Sequence, residues 1–418
     1  MVAMLAWLRR LHPFQTADAQ RLALLFGIVY FAQGMFDLPT QTLTLTLKER
    51  FGLSAGQAAT FFLIATIPWY IKPLYGLISD FVPLLGRRRK SYLLASSGLA
   101  AVSGATLAAM GSQPYAVLAV FVTLMGLGLA FTDVMVDALM VENGRALGLT
   151  GAFQSVQWAA IYGASMIVGV AGGQLAGQRR LHTAFAAAAC FPVVSFVMAL
   201  LFIREPRTAA DRQAFQRTLA SIREALRERE VWVVAGFILF WTFSPSFGPA
   251  FLYYQTDTLK FSQEFIGLLY SLNAAGYVMG AVIYAPLSRR VPLKRLIVWS
   301  IGVAVVTTLG YLLYETPASA VIIDSVFGVV GMIAQLAFLD LAAKACPPRV
   351  EGSFFALLMS VYNIGVKGSQ ITGGYLYDIL GFTPLVLISA TVTALAWALV
   401  PLVRIEEIEA RARANAPS

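Results

Sequence analysis

Residues 183–203, TAFAAAACFPVVSFVMALLFI, run without one charged side chain, and stretches of this kind recur along the whole chain. A stretch of about 20 to 28 apolar residues is long enough to cross the roughly 30 Å hydrocarbon core of a bilayer at about 1.5 Å per helical residue. With 58% hydrophobic and only 13% charged residues over 418 positions, a water-soluble globule is excluded. The stretches are continuous in Leu, Ala and Gly, without the alternation of a porin strand, so they read as helices. Lipid enforces that choice, because a helix satisfies its backbone polar groups internally.

The pattern predicts an all-α membrane protein with twelve spans, near 21–46, 57–81, 91–111, 114–141, 149–176, 183–203, 231–257, 264–287, 295–314, 318–343, 351–376 and 381–403. The start, MVAMLAWLRRLHPFQTADAQ, has a short apolar piece and no cleavage pattern, so no removed signal peptide is expected. Of 31 Lys and Arg, 24 lie in the N-terminus, the loops after even-numbered spans and the C-terminal tail. On the other side stand Lys48, Arg50, Arg179, Arg180 and Lys260, while Lys72 and Lys367 fall inside spans. The positive-inside rule then places both termini in the cytoplasm. The net charge of +9 is accounted for by topology and anionic lipid, and no nucleic-acid partner is implied. Cys190 and Cys346 suggest neither a disulfide nor a metal site.

The two halves of the chain repeat. YGLISDFVPL from Tyr75 aligns with YAPLSRRVPL from Tyr284, and GAF and GGQL from Gly151 and Gly172 align with GSF and GGYL from Gly352 and Gly373. Six spans, a polar segment and six spans resemble the internal symmetry of a major facilitator transporter, with two pseudo-symmetric six-helix bundles. The expected division is 1–203, a linker over 204–230, and 231–418. Phe215, Leu219, Ile222 and Leu226 space the linker as an amphipathic helix on the membrane surface.

Four consecutive cations, Arg87 to Lys90, follow Asp80 and Gly86 at the end of the second span. This resembles the glycine–acid–glycine–basic loop motif of the major facilitators. The resemblance implies an ion-pair gate of Asp80 and Arg87 or Arg88 with Asp137 and Glu142 at the end of the fourth span; plain topogenic charge is the alternative. Arg289 stands where the second copy would carry the acid, so only the first half keeps the pattern.

A narrower resemblance rests on AAKACPPRVEGSFFALLMSVYNIG (342–365), YFAQGMFDLP from Tyr30, IPWYIKPLYGLISD from Ile67, DVMVDALMVE and QSVQW between Asp133 and Trp158, and FSPSFGPAFLYYQTDTLKFSQEFIG from Phe243. Together these are similar to the folate-biopterin transporter family. Asp340 departs from it, standing where an apolar residue is expected. The resemblance implies a secondary carrier importing folates or pterins across a bacterial inner membrane, acting as a monomer without metal or cofactor.

Charges at membrane depth are expensive and are functional candidates by default. Asp37, Lys72 and Lys367 fall near the midplane, with Asp133 and Asp137 toward the cytoplasm. A folate needs cations for its carboxylate tail, hydrogen-bonding groups for its pteridine and aromatic faces to stack on. Lys72 and Lys367 can supply the field, although a permanent pair with Asp133 or Asp137 is an equal reading for Lys72. Gln33, Asp37 and Asn363 can bond the ring. Trp158, Trp241 and Tyr362 offer stacking faces, although most aromatics in such a chain are packing residues. A desolvated Asp37, Asp133 or Asp137 can carry a coupling proton; exchange against an internal anion is the alternative. Asp324 and Asp378 read as wetted charges near helix ends.

No Walker loop, HExxH or GxSxG occurs, so neither an enzyme nor an ATP-driven pump is expected. A carrier of another polar solute, such as a muropeptide, sugar or siderophore, is the second reading. A non-transporting assembly or sensing protein is the third.

Overall fold

The computed structural model describes residues 14–111, 113–208, 216, 219–220, 223, 226–227, 229–346 and 351–414, and every regular element among them is a helix. Ten segments are long and apolar enough to cross a membrane, and they match the expected spans one to six, eight to ten and twelve. The eleventh expected span is a single helix, Glu351–Leu380, and the seventh is a broken one. The chain is an all-helical, multi-pass membrane protein. Most of the expected linker helix over 204–230 lies outside the described residues, Phe215 and Ile222 included.

Three spans that read as continuous are interrupted. The first consists of α1 (Ala17–Gly34) and α2 (Thr40–Glu49), joined by a 3-10 turn over Met35–Asp37. The second consists of α3 (Ala55–Thr66), a 3-10 turn over Ile67–Trp69, and α4 (Lys72–Phe81). In the seventh, α9 (Arg229–Thr242) and α10 (Pro249–Tyr253) are separated by a stretch ending at Gly248, whose φ of +44° is open to glycine at little cost; a π-helical turn over Tyr254–Thr258 follows. Pro39, Pro68, Pro73, Pro245 and Pro249 mark these interruptions. Proline has no N–H to donate and its ring collides with the carbonyl four residues back. Asp37 and Lys72 therefore stand at the breaks, where carbonyls and amides are released from the helix ladder.

The remaining helices are α5 (Lys90–Ala109), α6 (Tyr115–Leu147), α7 (Thr150–Gly177), α8 (Leu181–Phe202), α11 (Gln263–Arg290), α12 (Leu293–Gly310), α13 (Pro317–Lys344), α14 (Glu351–Leu380), α15 (Phe382–Leu399) and α16 (Ile405–Ala414). They gather into two compact units. The first holds Met1–Pro39, Leu74–Val168 and His182–Asp211; the second holds Thr40–Pro73, Gly169–Leu181 and Arg212–Ser418. The boundaries after Pro39 and Pro73 coincide with the first two breaks, so each broken span gives one half to each unit.

The first unit packs around Phe26, Val29, Leu93, Met135, Val136, Phe153 and Met198. Close backbone approach does the rest, since lipid offers no hydrophobic drive between helices. A Cβ on Gly128 of α6 would stand 2.4 Å from the Ser96 carbonyl oxygen of α5. The second unit has an aliphatic and aromatic core of Phe237, Ile238, Ile297, Phe338 and Leu358. There α7 and α11 meet backbone to backbone, where a Cβ on Gly267 would lie 2.2 Å from the Gly169 carbonyl oxygen.

Candidate functional site

In the first unit, α1 presents Tyr30 and Gln33 on one face, three residues apart, and α6 presents Asp133 and Asp137, four apart. The two pairs meet as rungs. Gln33 Nε2 donates to Asp133 Oδ1 at 2.8 Å, and the Tyr30 hydroxyl donates to Asp137. Asp133 is 4% exposed. Two amide atoms at this level are buried and unanswered among the described residues: Gln33 Oε1, an acceptor, and Gln157 Nε2 on α7, a donor. Helix α7 lies against α1, since a Cβ on Gly34 would be 2.8 Å from the Ile161 carbonyl oxygen, one turn beyond Gln157. Burying an unpaired amide group costs about 1–3 kcal/mol, which makes these two atoms candidates to take an outside partner.

The other expected site residues are distributed as follows. Asp37 is exposed in its 3-10 turn. Trp158 stacks on Tyr162, one turn along α7, with ring centroids 5.7 Å apart. In the second unit, the Lys72 ammonium lies 4.4 Å from the Trp69 ring centroid, a cation–π contact that shields the charge where the helix restarts. Lys367 Nζ bonds Gln370 Oε1 at 3.1 Å on the next turn of α14. Trp241 stacks on Phe338 at 4.5 Å, and both it and Tyr362 pack against the core of the second unit. Asn363 is half-buried beside Tyr362.

The loop after α4 selects its cation by backbone geometry. Leu85 and Gly86 both take positive φ, 53° and 76°, turning the chain so that the third basic residue points inward. Arg89, not the expected Arg87 or Arg88, receives the acids. Its guanidinium contacts Asp80, reaches Glu142 Oε1 from Nη2 at 2.7 Å, and bonds Ser79 Oγ at 2.6 Å. Burial pulls the guanidinium pKa down, but the Asp80 and Glu142 carboxylates outweigh it and hold the group above its ordinary value. Arg87 and Arg88 each keep a buried Nε without a hydrogen bond among the described residues. Asp137, expected in this cluster, takes the Tyr30 hydroxyl one level away.

One further acid completes the loop. The Glu205 carboxylate accepts the backbone N–H groups of Arg88 at 2.8 Å, Arg89 at 3.0 Å and Lys90 at 2.8 Å, at the N-terminal end of α5 where such groups have no helical partner. Lys90 Nζ in turn bonds the Leu200 and Ile203 carbonyls at 2.7 and 2.9 Å, at the C-terminal end of α8.

The second unit bears out one expectation about helix-end charges and corrects another: Asp378 is exposed, as expected, while Asp324 is buried. Asp378 caps α3, accepting from Ser54 Oγ at 2.5 Å, Ala55 N at 3.1 Å and Gly56 N at 2.9 Å. Asp324 is not wetted; it is 5% exposed, with the Tyr311 and Tyr314 hydroxyls on its carboxylate at 3.2 and 2.7 Å. Asp340, out of place by sequence, pairs with Lys344 one turn on at 2.8 Å. The same unit joins Lys48 to Asp257, and Arg179 to Glu49 at 2.7 Å.

The sequence reading missed Arg89, Glu205, Tyr30 and Gln157. Gln157 sits in the QSVQW piece and Tyr30 opens YFAQGMFDLP, so both were within reach of the motifs. Glu205 carried no signal, because its partners are main-chain groups distant in sequence.

The model of the BT1 family matches residues 33–405. The chain is 32% identical over 370 residues to the folate-biopterin transporter of Synechocystis, covering 85% of this chain and 74% of that one. It is 24% identical to the probable folate-biopterin transporter 4 of Arabidopsis thaliana, over 91% of this chain and 92% of the other. Folate transporter 2 of Plasmodium falciparum is 22% identical over 84% of this chain and 79% of its own length. Among solved structures, the nucleoside transporter NupG superposes with a TM-score of 0.68 at 13% identity over 93% of this chain and 99% of its own, and the inward-open xylose transporter XylE of E. coli with 0.68 at 14% over 94% and 99%. Those two likenesses show a major facilitator fold, and with the family match spanning most of its length the chain belongs to the BT1 family.

Proposed function

We propose that the protein is a secondary carrier that imports folates or pterins by alternating access, in the inner membrane with both termini cytoplasmic. The observation that carries this reading is the buried Gln33–Asp133 rung, whose Gln33 Oε1 is an unanswered acceptor, together with the unanswered Gln157 Nε2 donor on the neighbouring helix α7. A pteridine edge carries donors and acceptors side by side and matches such a pair. A purely apolar cargo would leave the amides unanswered. The names of the relatives agree with this cargo class. Lys72 and Lys367 are the candidates for a folate's carboxylate tail, Trp158 for stacking, and Asp37, Asp133 and Asp137 for proton coupling.

Within the second unit, the ends of the first, second and fifth spans are held to the seventh, eighth and eleventh. The contacts are Lys48 with Asp257, Gln41 Nε2 with Gln263 at 2.9 Å, Asp378 with the start of α3, and Gly169 with Gly267. In the proposed orientation these contacts form the outer seal, and Arg89 with Asp80, Glu142 and Glu205 forms the cytoplasmic latch. Each seal stores interactions that the opposite state must give up.

Uptake of labelled folate and biopterin into proteoliposomes, with and without an imposed pH gradient, tests the reading. Saturable uptake of either, stimulated by the gradient, is expected. Uptake of muropeptides or sugars with neither folate nor biopterin transported would replace the cargo, and no transport at all would overturn the carrier.

A further inference from the structure

Asp324 lies two turns into α13 and is fully enclosed, yet no lysine, arginine or histidine among the described residues bonds to it. Its two carboxylate oxygens are each met by one phenol, Tyr311 on Oδ1 at 3.2 Å and Tyr314 on Oδ2 at 2.7 Å. Its main-chain carbonyl is taken by Asn273 Nδ2 of α11 at 3.0 Å. The titratable groups nearest the carboxylate are the phenols of Tyr311 and Tyr314 from the turn before α13 and Tyr277 from α11. Farther out, the π-helical turn carries Tyr254 and Asp257, the latter paired with Lys48, Glu315 stands beside Tyr254, and Tyr377 of α14, with Asp378 next to it, packs on the same core. Phe247, Phe251, Phe261 and Phe327 pack on Tyr311 and Tyr314 and keep water away.

A buried carboxylate with neutral donors and no counter-charge is balanced between two states. Two phenol hydrogen bonds favour the anion, and the loss of water favours the acid. The cluster is also tied to the interrupted seventh span. Gln255 Nε2 donates to Tyr314 Oη at 2.8 Å, and the Tyr254 hydroxyl donates to the Tyr314 carbonyl at 3.3 Å.

We propose that Asp324 is a proton-binding site whose occupancy sets how firmly the Tyr311–Tyr314 turn holds the π-helical turn Tyr254–Thr258. One proton from water adds to Oδ1, and the new O–H donates to Tyr311 Oη, reversing the longer of the two phenol contacts. Tyr314 keeps its bond to Oδ2 and still accepts from Gln255. Once the charge is gone, the Tyr314 bond is no longer charge-assisted and loses about half its strength. The grip on the seventh span weakens, and with it one part of the seal in the second unit. Proton binding itself stands on the geometry of the cluster; its role in coupling rests on the carrier reading.

The first test is pH-difference infrared spectroscopy of the purified protein in lipid. A protonated-carboxyl band should appear as pH falls, be absent from Asp324→Asn and persist in Asp378→Asn. In Tyr311→Phe or Tyr314→Phe, which leave the carboxyl in place, its midpoint should move by about one pH unit. A titrating spectrum unchanged in Asp324→Asn, or midpoints unmoved in both phenylalanine variants, would overturn the site. The second test compares transport modes. Asp324→Asn should keep equal-pH counterflow of labelled folate or biopterin while losing the extra accumulation driven by a pH gradient. Accumulation equal to wild type would remove Asp324 from coupling. Absence of counterflow in the wild type would strike the cargo reading and leave the infrared result standing.

Discussion

Arg89 and Glu142, 53 residues apart in the chain, meet through two nitrogens on one oxygen: Nε at 3.2 Å and Nη2 at 2.7 Å from Glu142 Oε1. The same guanidinium reaches Asp80 and Ser79, so one buried cation ties the end of α4 to the end of α6. Lysine can carry the charge but has no fork with which to hold three partners in fixed directions.

Arg89→Lys is expected to lower stability by about 1–3 kcal/mol, the range for removing one partner from a buried polar contact, and Arg87→Lys to change it little. Thermal unfolding of the two variants in the same lipid checks this. Equal losses would mean that the loop holds its acids without preference.

Asp378→Ala removes the cap from α3 and should cost about 1 kcal/mol. The larger effect is on access. With Cys190 and Cys346 replaced, a cysteine at Thr60 should react faster with an impermeant maleimide in this variant than in its Asp378 parent, because the contact between α3 and α14 opens more often.

Gln157→Leu takes away a donor that has no partner among the described residues. Stability should hold or rise slightly, while binding of the pteridine weakens by about 1–3 kcal/mol, roughly 10- to 100-fold in Kd. Thermal-shift titration with biopterin reads both quantities at once. A loss of stability without a loss of binding would make the residue a packing element.

Lys367→Met should weaken folate binding about tenfold and leave biopterin, which has no glutamate tail, unaffected. Competition of each ligand against labelled folate separates tail from ring. An equal loss for both would place the lysine at the ring or in the fold.

Much of the architecture was legible because lipid makes it so. Apolar length sets the spans, and the repeat from Tyr75 to Tyr284 sets the symmetry. The interruptions were written as prolines at 39, 68, 73, 245 and 249, yet each lay in a stretch apolar enough to read as unbroken. The site was legible as a set of residue types, not as a set of contacts. Asp133, Gln33 and Glu142 were identified from depth and motif, whereas the choice of Arg89 among four adjacent cations depends on the positive φ of Leu85 and Gly86. Asp324 was misread because its shield, Tyr311 and Tyr314, precedes the helix and folds back over it; hydropathy along one strand of sequence has no view of that return. Trp241 shows what depth alone leaves out, since one face of its indole stacks on Phe338.

The anchoring of Glu205 fixes the start of the segment that the sequence reads as a linker. Arg204 to Thr208 would count as slack by sequence, but Glu205 is fastened to three consecutive amides and Thr208 N to the Gly86 carbonyl at 2.9 Å. Residues 205 and 208 are therefore fixed to the loop that carries Arg89, and a pull on the chain at Thr208 reaches that loop directly.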